Sequence, residues 1–201
     1  MLFSREIRWF GVGPVRPEHQ QWLEQFTEHL TRQPQRTDVY LYTDYDGLGC
    51  KFRQEQPPVK LELKRRREDC GVQTFGPFTG RLAAWEKWSL ATTAAPAVEF
   101  PWIPVQKQRN AVKFAWQGAG QVVPVQYEEA PDCGCAAEVT SITVDKEQWW
   151  TIGFEAFGDQ HNPQQVQDAL EATMGLLREH VPSGLDAMST CDYPEWLRRR
   201  R

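Results

Sequence analysis

Val59-Lys60-Leu61-Glu62-Leu63-Lys64 carries a charge at every second residue with an apolar side chain between, and Cys50-Lys51-Phe52-Arg53 and Val105-Gln106-Lys107-Gln108-Arg109 keep the same rhythm. A β-strand turns successive side chains to opposite faces, so Lys60, Glu62 and Lys64 share one face, as do Lys51 with Arg53 and Lys107 with Arg109. Phe52, Leu61 and Leu63 point the other way. If the three strands belong to one curved sheet, these cations and Glu62 converge on a concave surface suited to a polyanion. The plainer reading is half-exposed strands whose polar faces meet water, as in many antiparallel sheets. The choice turns on the apolar faces: helices covering them from outside would leave the charged faces to line a barrel.

Outward from these segments, residues 3–10 read as a strand with Ile7 and Trp9 on one face and Glu6, Arg8 and Phe10 on the other. Trp22, Leu23, Phe26 and Leu30 recur at helical spacing behind Pro17, a good first helical residue, which predicts an amphipathic helix over 17–31. Strands follow at 38–43, 48–54 and 59–66, separated by the turn sequences Asp44-Tyr45-Asp46-Gly47 and Gln56-Pro57-Pro58. Residues 71–79 read as a short strand or loop, 84–90 as a strand, and the proline-bearing stretch 91–104 as an irregular crossover. Further strands are expected at 105–116, interrupted or bulged near Asn110, and at 122–127, 136–144 and 149–157. Asn162-Pro163 is an N-cap and first turn, and Val166, Ala169, Leu170, Thr173, Met174 and Leu177 draw the apolar stripe of a helix over 163–178. The sum is an α+β chain, an antiparallel β-barrel or strongly curved sheet of about eight strands with two main helices packed outside. Residues 1–182 are expected to form this domain and 183–201 a C-terminal extension whose end, Arg198-Arg199-Arg200-Arg201, is solvated.

With 27 acidic against 23 basic side chains the net charge is -4, so affinity for anions must come from local clustering, and a basic protein that coats nucleic acid is disfavoured. No apolar run reaches the ~20 residues of a membrane span, and Met1-Leu2-Phe3-Ser4-Arg5-Glu6 lacks the layout of a signal peptide; the expectation is a cytoplasmic protein without a membrane partner. Five cysteines without regular spacing argue against a disulfide framework, and Cys133-Gly134-Cys135 lacks the second pair that a zinc site requires. His19, His29, His161 and His180 lie on or beside the two helices, far apart in sequence, and read as solvated. Nine tryptophans are many. Trp85, Trp88, Trp102, Trp149 and Trp150 read either as barrel-wall packing or as a sticky face for another protein.

Arg offers phosphate a planar fork of donors and Lys a movable point charge, so a face carrying both suits several phosphates at once. Hydrolysis would add carboxylates, because a divalent cation needs oxygen ligands to join it to the substrate. Glu6, Glu62, Glu138 and Glu155 have the inward parity for this. No glycine-rich phosphate loop and no nucleophile elbow is present.

The order of these motifs resembles the CYTH superfamily, the triphosphate tunnel enzymes, over about residues 4–178. Glu6-Ile7-Arg8-Trp9-Phe10 stands where that family carries Glu-x-Glu-x-Lys. Leu48-Gly49-Cys50-Lys51-Phe52-Arg53 resembles its basic strand, Leu61-Glu62-Leu63-Lys64 its lysine strand and Lys107-Gln108-Arg109 its Lys-x-Arg strand. Ala137-Glu138-Val139 and Gly153-Phe154-Glu155 are similar to its acidic end. The resemblance implies phosphate binding by Arg8, Lys51, Arg53, Lys60, Lys64, Lys107 and Arg109, catalytic roles for Glu6 and Glu62, and Mg or Mn held by Glu6, Glu138 and Glu155. Arg8 stands in place of the second glutamate and Phe10 in place of the lysine, and this erodes the metal-binding strand more than the basic ones. Three readings follow: a receptor for a phosphorylated small molecule or polyphosphate, a metal-dependent triphosphate hydrolase, and a protein-interaction module built on exposed tryptophans.

Overall fold

The computed structural model describes residues 1–54, 59–93, 97–179 and 181–200, so that Gln56-Pro57-Pro58 and His180 lie outside the described residues. The elements run β1 (Leu2–Val12), α1 (Pro17–Glu24), β2 (Thr31–Arg32), β3 (Arg36–Leu41), β4 (Leu48–Gln54), β5 (Val59–Phe75), β6 (Phe78–Thr92), β7 (Trp102–Gly118), β8 (Gln121–Val125), β9 (Gly134–Val144), β10 (Glu147–Gly158), α2 (Pro163–Leu176) and α3 (Tyr193–Arg199). Among the described residues, eight strands close an antiparallel barrel in the order β7, β3, β4, β5, β6, β1, β10, β9 and back to β7. The short β2 and β8 are additions that pair with β7. Closure leaves the ring without free edges, and eight strands make an interior just wide enough for side chains to fill.

The outward face of β1, with Ile7 and Trp9, packs against Trp22 and Leu23 of α1 and Val166, Ala169, Leu170 and Met174 of α2 in one buried apolar cluster. The helices therefore lie outside and the charged faces inside, as the alternation requires. At the Asp145-Lys146 hairpin both residues take positive φ, 51° and 68°, the backbone twist that joins two antiparallel strands through a two-residue loop.

Three expectations need correction. The helix over 17–31 ends at Glu24, after which Phe26 N–H bonds to Leu23 and His29 N–H to Phe26 in successive tight turns; Phe26 still reaches the core, edge-on to Phe114 at 5.1 Å. No bulge falls at Asn110, where β7 pairs with β9 without a break from Gln106 to Ala115. The register shifts lie instead in β5, between Arg66 and Glu68 and between Asp69 and Val72, where Gly71 takes φ +70°. Residues 71–79 are thus the far end of a long β5–β6 hairpin.

The tail is the largest departure. Asp192 caps α3 by accepting the Glu195 N–H at 2.9 Å, and Pro194 sits in the first turn. The helix closes one end of the barrel: Trp196 stacks on Phe10 at 5.0 Å and Tyr193 on Tyr40 at 5.4 Å, within a cluster that includes Ile103, Val105, Ile142 and Val144. Three of the tail's arginines are paired rather than loose in solvent, Arg198 with Asp46 at 2.7 Å, Arg199 with Glu195 at 2.6 Å and Arg200 with Glu147 at 2.9 Å, and Arg201 lies outside the described residues. All nine tryptophans are buried or half-buried, which removes the exposed-tryptophan face. Trp196→Ala is expected to lower stability by about 3–5 kcal/mol, the usual cost of deleting a buried tryptophan, measured as a shifted urea midpoint. A loss below ~1 kcal/mol would mean that α3 only rests on the barrel.

Candidate functional site

Two residues along each strand from the α3 end, the inward face changes from apolar to charged or polar: Phe10 gives way to Arg8, Tyr40 to Asp38, Val105 to Lys107 and Ile142 to Thr140. The barrel is therefore a cup. Tyr193 and Tyr40 make the floor, Arg8, Lys107 and Arg109 stand just above it, and Lys51, Arg53, Glu62, Lys64, Lys87 and Glu155 rise toward the rim around a cavity of about 90 Å³. That is ample room for several waters or a small anion. Among the described residues, eight lysines and arginines line it against four carboxylates; Asp38 and Glu138, buried behind them, bring the acids to six.

The pairing registers dictate the contacts. Arg8 lies opposite Gly153, whose missing Cβ leaves the space that the guanidinium fills, since an added Cβ would sit 2.8 Å from Cζ. From there Arg8 Nε donates to Glu6 Oε1 at 2.9 Å and a terminal nitrogen donates to Glu138 Oε1. The other oxygens of these two acids are also taken: Lys64 donates to Glu6 Oε2, and Arg109 Nε lies 3.0 Å from Glu138 Oε2. A second knot surrounds Asp38, with Arg36 at 3.2 Å, Lys51 at 3.0 Å and Lys107 at 3.5 Å. Glu62 faces Lys51 at 3.2 Å, Lys87 at 3.6 Å and Arg53 at 3.8 Å. Glu155 is only half-buried, with Lys64 4.0 Å away.

Burial alone would raise these carboxyls. For Glu138 the charges of Arg109 and Arg8 outweigh it, and for Glu62 those of Lys51 and Lys87, bringing both down to about 2. Lys64 and Arg8 hold Glu6 lower still, and Lys51, Lys107 and Arg36 do the same for Asp38. Lys107 behaves differently. It is 1% exposed, donates to the Tyr40 hydroxyl at 2.5 Å and lies 3.4 Å from the Tyr193 ring centre. Burial drives its amine well below the usual lysine range, and Lys51, Arg109 and Arg36 push the same way against the pull of Asp38. Asp192 is raised to about 6 by burial, with Glu195 and Glu6 adding to it and the Glu195 N–H and Arg66 opposing.

Of the residues singled out by alternation, Glu6, Arg8, Lys51, Arg53, Glu62, Lys64, Lys107, Arg109 and Glu155 line the cavity, and Glu138 stands directly behind it. Lys60 does not: it has the right parity but pairs with Arg53 and Ala91 beyond the rim and is exposed. Sequence reading missed Arg36, Asp38, Tyr40, Trp85, Lys87, Asp192 and Tyr193. Arg36-Thr37-Asp38-Val39-Tyr40 alternates as the others do and could have been read, whereas Tyr193 enters from a helix and leaves no strand signature.

The carboxylates assigned by resemblance to Mg or Mn do not fit such an ion. Mg²⁺ wants about six oxygens at ~2.1 Å. Every oxygen of Glu6 and Glu138 is instead engaged by a cationic side chain, and among the described residues no group of three His, Cys, Asp or Glu is placed to hold a metal. All five cysteines are free, with Cys133 and Cys135 buried. No helix of the described residues is long and apolar enough to cross a membrane.

No protein-family model matches the chain and no curated protein matches it. Among solved structures it is similar to a conserved hypothetical protein from Pyrococcus furiosus, with TM-score 0.51 and 10% identity over 96% of this chain and 98% of that one. It is also similar to S. pombe Pct1 RNA triphosphatase in complex with the Spt5 CTD, with TM-score 0.49 and 12% identity over 90% of this chain and 86% of the other. The first likeness shows the fold alone, and the second is too slight to carry an argument.

Opposed titrations shape the pH dependence of stability. Glu62 and Glu138, depressed from 4.5 to about 2, contribute stability that is complete above 4.5 and is lost as the pH falls toward 2. Asp192, raised from 3.8 to about 6, costs stability above 6, and that cost disappears as the pH falls toward 3.8. The combined contribution of these three carboxyls is expected to be greatest between the two limbs, at about pH 4.5–6, while the depressed amine of Lys107 adds stability as the pH rises toward the ordinary lysine range. Asp192→Asn, which keeps the helix cap, should raise the melting temperature at pH 7.5 and flatten the alkaline limb in scanning calorimetry. An unchanged profile would contradict the burial of the Asp192 carboxylate.

Proposed function

We propose that the cup is a receptor for the phosphate groups of a small phosphorylated molecule or short polyphosphate and performs no metal-dependent hydrolysis of its own. The observation that supports this is the excess of cations over carboxylates inside a closed barrel. Each buried charge loses hydration worth several kcal/mol, and a carboxylate partner restores it only where one is in reach. The surplus therefore favours an anion that brings its own charge and acceptor oxygens. Low-dielectric walls concentrate the field at the mouth, although the chain as a whole is acidic. Arg53 and Lys87, 22% and 26% exposed in their side chains, stand where an entering phosphate meets them first.

Lys107 gives the reading a distinct signature. Its amine is depressed partly by neighbouring cations, and an anion seated among them removes that penalty. Binding thus takes up a proton, and affinity falls as the pH rises. Sulfate, whose charge does not change over this range, isolates the effect: its binding enthalpy should differ between buffers of unlike ionisation enthalpy in the sense of proton uptake, and Lys107→Met should abolish the difference. Tripolyphosphate should raise the melting temperature by mass action, less at high salt. Lys64→Ala and Arg109→Ala should each weaken it about tenfold or more, ~1.4 kcal/mol by calorimetry. No stabilisation by millimolar tripolyphosphate at low salt would sink the receptor reading, and rapid Mg-dependent release of phosphate, lost on Glu6→Gln, would replace it with the hydrolase.

A further inference from the structure

We propose that Arg8 is a built-in substitute for a metal ion, so that the cup accepts its phosphate ligand only as the metal-free anion and Mg²⁺ competes with the protein for it. This rests on the phosphate-receptor reading and adds the chemical form of the ligand.

The argument begins with the seat of the guanidinium. Gly153 sits opposite Arg8 on β10, and its lack of a Cβ is what lets the planar group lie flat against that strand. So held, Arg8 is 3% exposed and joins two carboxylates that come from strands on either side of β10, Glu6 on β1 and Glu138 on β9. A divalent cation bridging Glu6 and Glu138 would have to occupy the same place. The positions do not merely coincide: Lys64 and Arg109 close off the two remaining oxygens, so a metal entering there would displace or face three positive side chains. Repulsion between like charges at such short range doubles for a divalent ion and works against the pull of the two carboxylates. Glu155 stands opposite Glu6 on β10 but does not restore the site, because Lys64 serves both acids, donating to Glu6 Oε2 and lying 4.0 Å from Glu155.

The consequence falls on the ligand. Adjacent phosphates chelate Mg²⁺ through oxygens that the cup's lysines and arginines must also contact, so a chelated triphosphate arrives with part of its charge neutralised and its chelating oxygens shielded. Phosphomonoesters and sulfate hold Mg²⁺ weakly and keep both. In Mg²⁺-containing solution the cup therefore selects ligands without a chelating pair of phosphates.

The test is calorimetric and uses the whole chain. Tripolyphosphate is titrated in EDTA and again with excess Mg²⁺ at matched ionic strength, with sulfate as the ligand that does not chelate and Mn²⁺ alone as the metal probe. Expected are binding in EDTA, at least a tenfold loss with Mg²⁺, sulfate binding indifferent to Mg²⁺, and no saturable heat from Mn²⁺. Tripolyphosphate binding that is strengthened by Mg²⁺ or requires it overturns the inference while leaving the receptor intact. Absence of binding by tripolyphosphate and sulfate in every condition overturns the receptor itself. Arg8→Gln, verified as folded by its melting transition, is expected to acquire a Mn²⁺ site; a folded variant that still ignores Mn²⁺ overturns the role of Arg8. The wild-type titrations decide the main point without the variant.

Discussion

One guanidinium organises the centre of this protein. Arg8 holds Glu6 and Glu138 together over the intervening strand β10, and both acids must be ionised to hold it in return. Remove Arg8 and two carboxylates remain buried with one cation each; remove either acid and a fully buried arginine loses half its partners. Breaking one side of such an arrangement typically costs 3–5 kcal/mol, because the penalty is the stranded charge rather than the lost contact. The neighbouring knot at Asp38 follows the same rule. The interior is therefore specified by mutual neutralisation, where an ordinary barrel of this size would use interdigitated apolar side chains.

Such an interior fixes how the rest of the stability is distributed. Apolar burial is pushed to two places: the outer face, where α1 and α2 cover Ile7, Trp9 and Phe154, and the α3 end, where Phe10, Trp196 and Tyr193 stack. Neither is replaceable by the cup, whose charges give little net stability after desolvation. The depressed amine of Lys107 is an open cost, a cation whose charged form burial disfavours and whose neighbours Lys51, Arg109 and Arg36 add to that penalty against the pull of Asp38. Strain of this kind is expected where a site is shaped for a partner rather than for the folded chain alone.

The barrel was legible because period-two alternation is insensitive to everything except which face is buried. Lys51-Phe52-Arg53 and Lys107-Gln108-Arg109 turn their charged faces inward, while on the outer side Phe52 is half-buried against Trp102 and Gln108 is exposed, so closure of the ring rather than a covering helix sets the direction there. Parity fails for Lys60 because it says which side a residue faces and nothing about how far along the barrel it lies. It fails for α1 in another way, since Phe26 and Leu30 keep helical spacing while the backbone there makes separate turns that reach the same core.

The α3 helix escaped because four consecutive arginines dominate the tail's composition and suggest a solvated end. The informative letters were Asp192-Tyr193-Pro194-Glu195, a cap and first-turn signature, followed by Trp196-Leu197, which had no reason to be exposed. Once the cap is recognised, Arg198, Arg199 and Arg200 find their acids: Asp46 on the β3–β4 loop, Glu195 within the helix and Glu147 on β10. The consequence for the site is topological. With Tyr193 on the floor, α3 closes this end of the barrel beneath Arg8, Lys107 and Arg109, and under the receptor reading the negative end of a ligand would face those three while the remainder stays among Arg53 and Lys87.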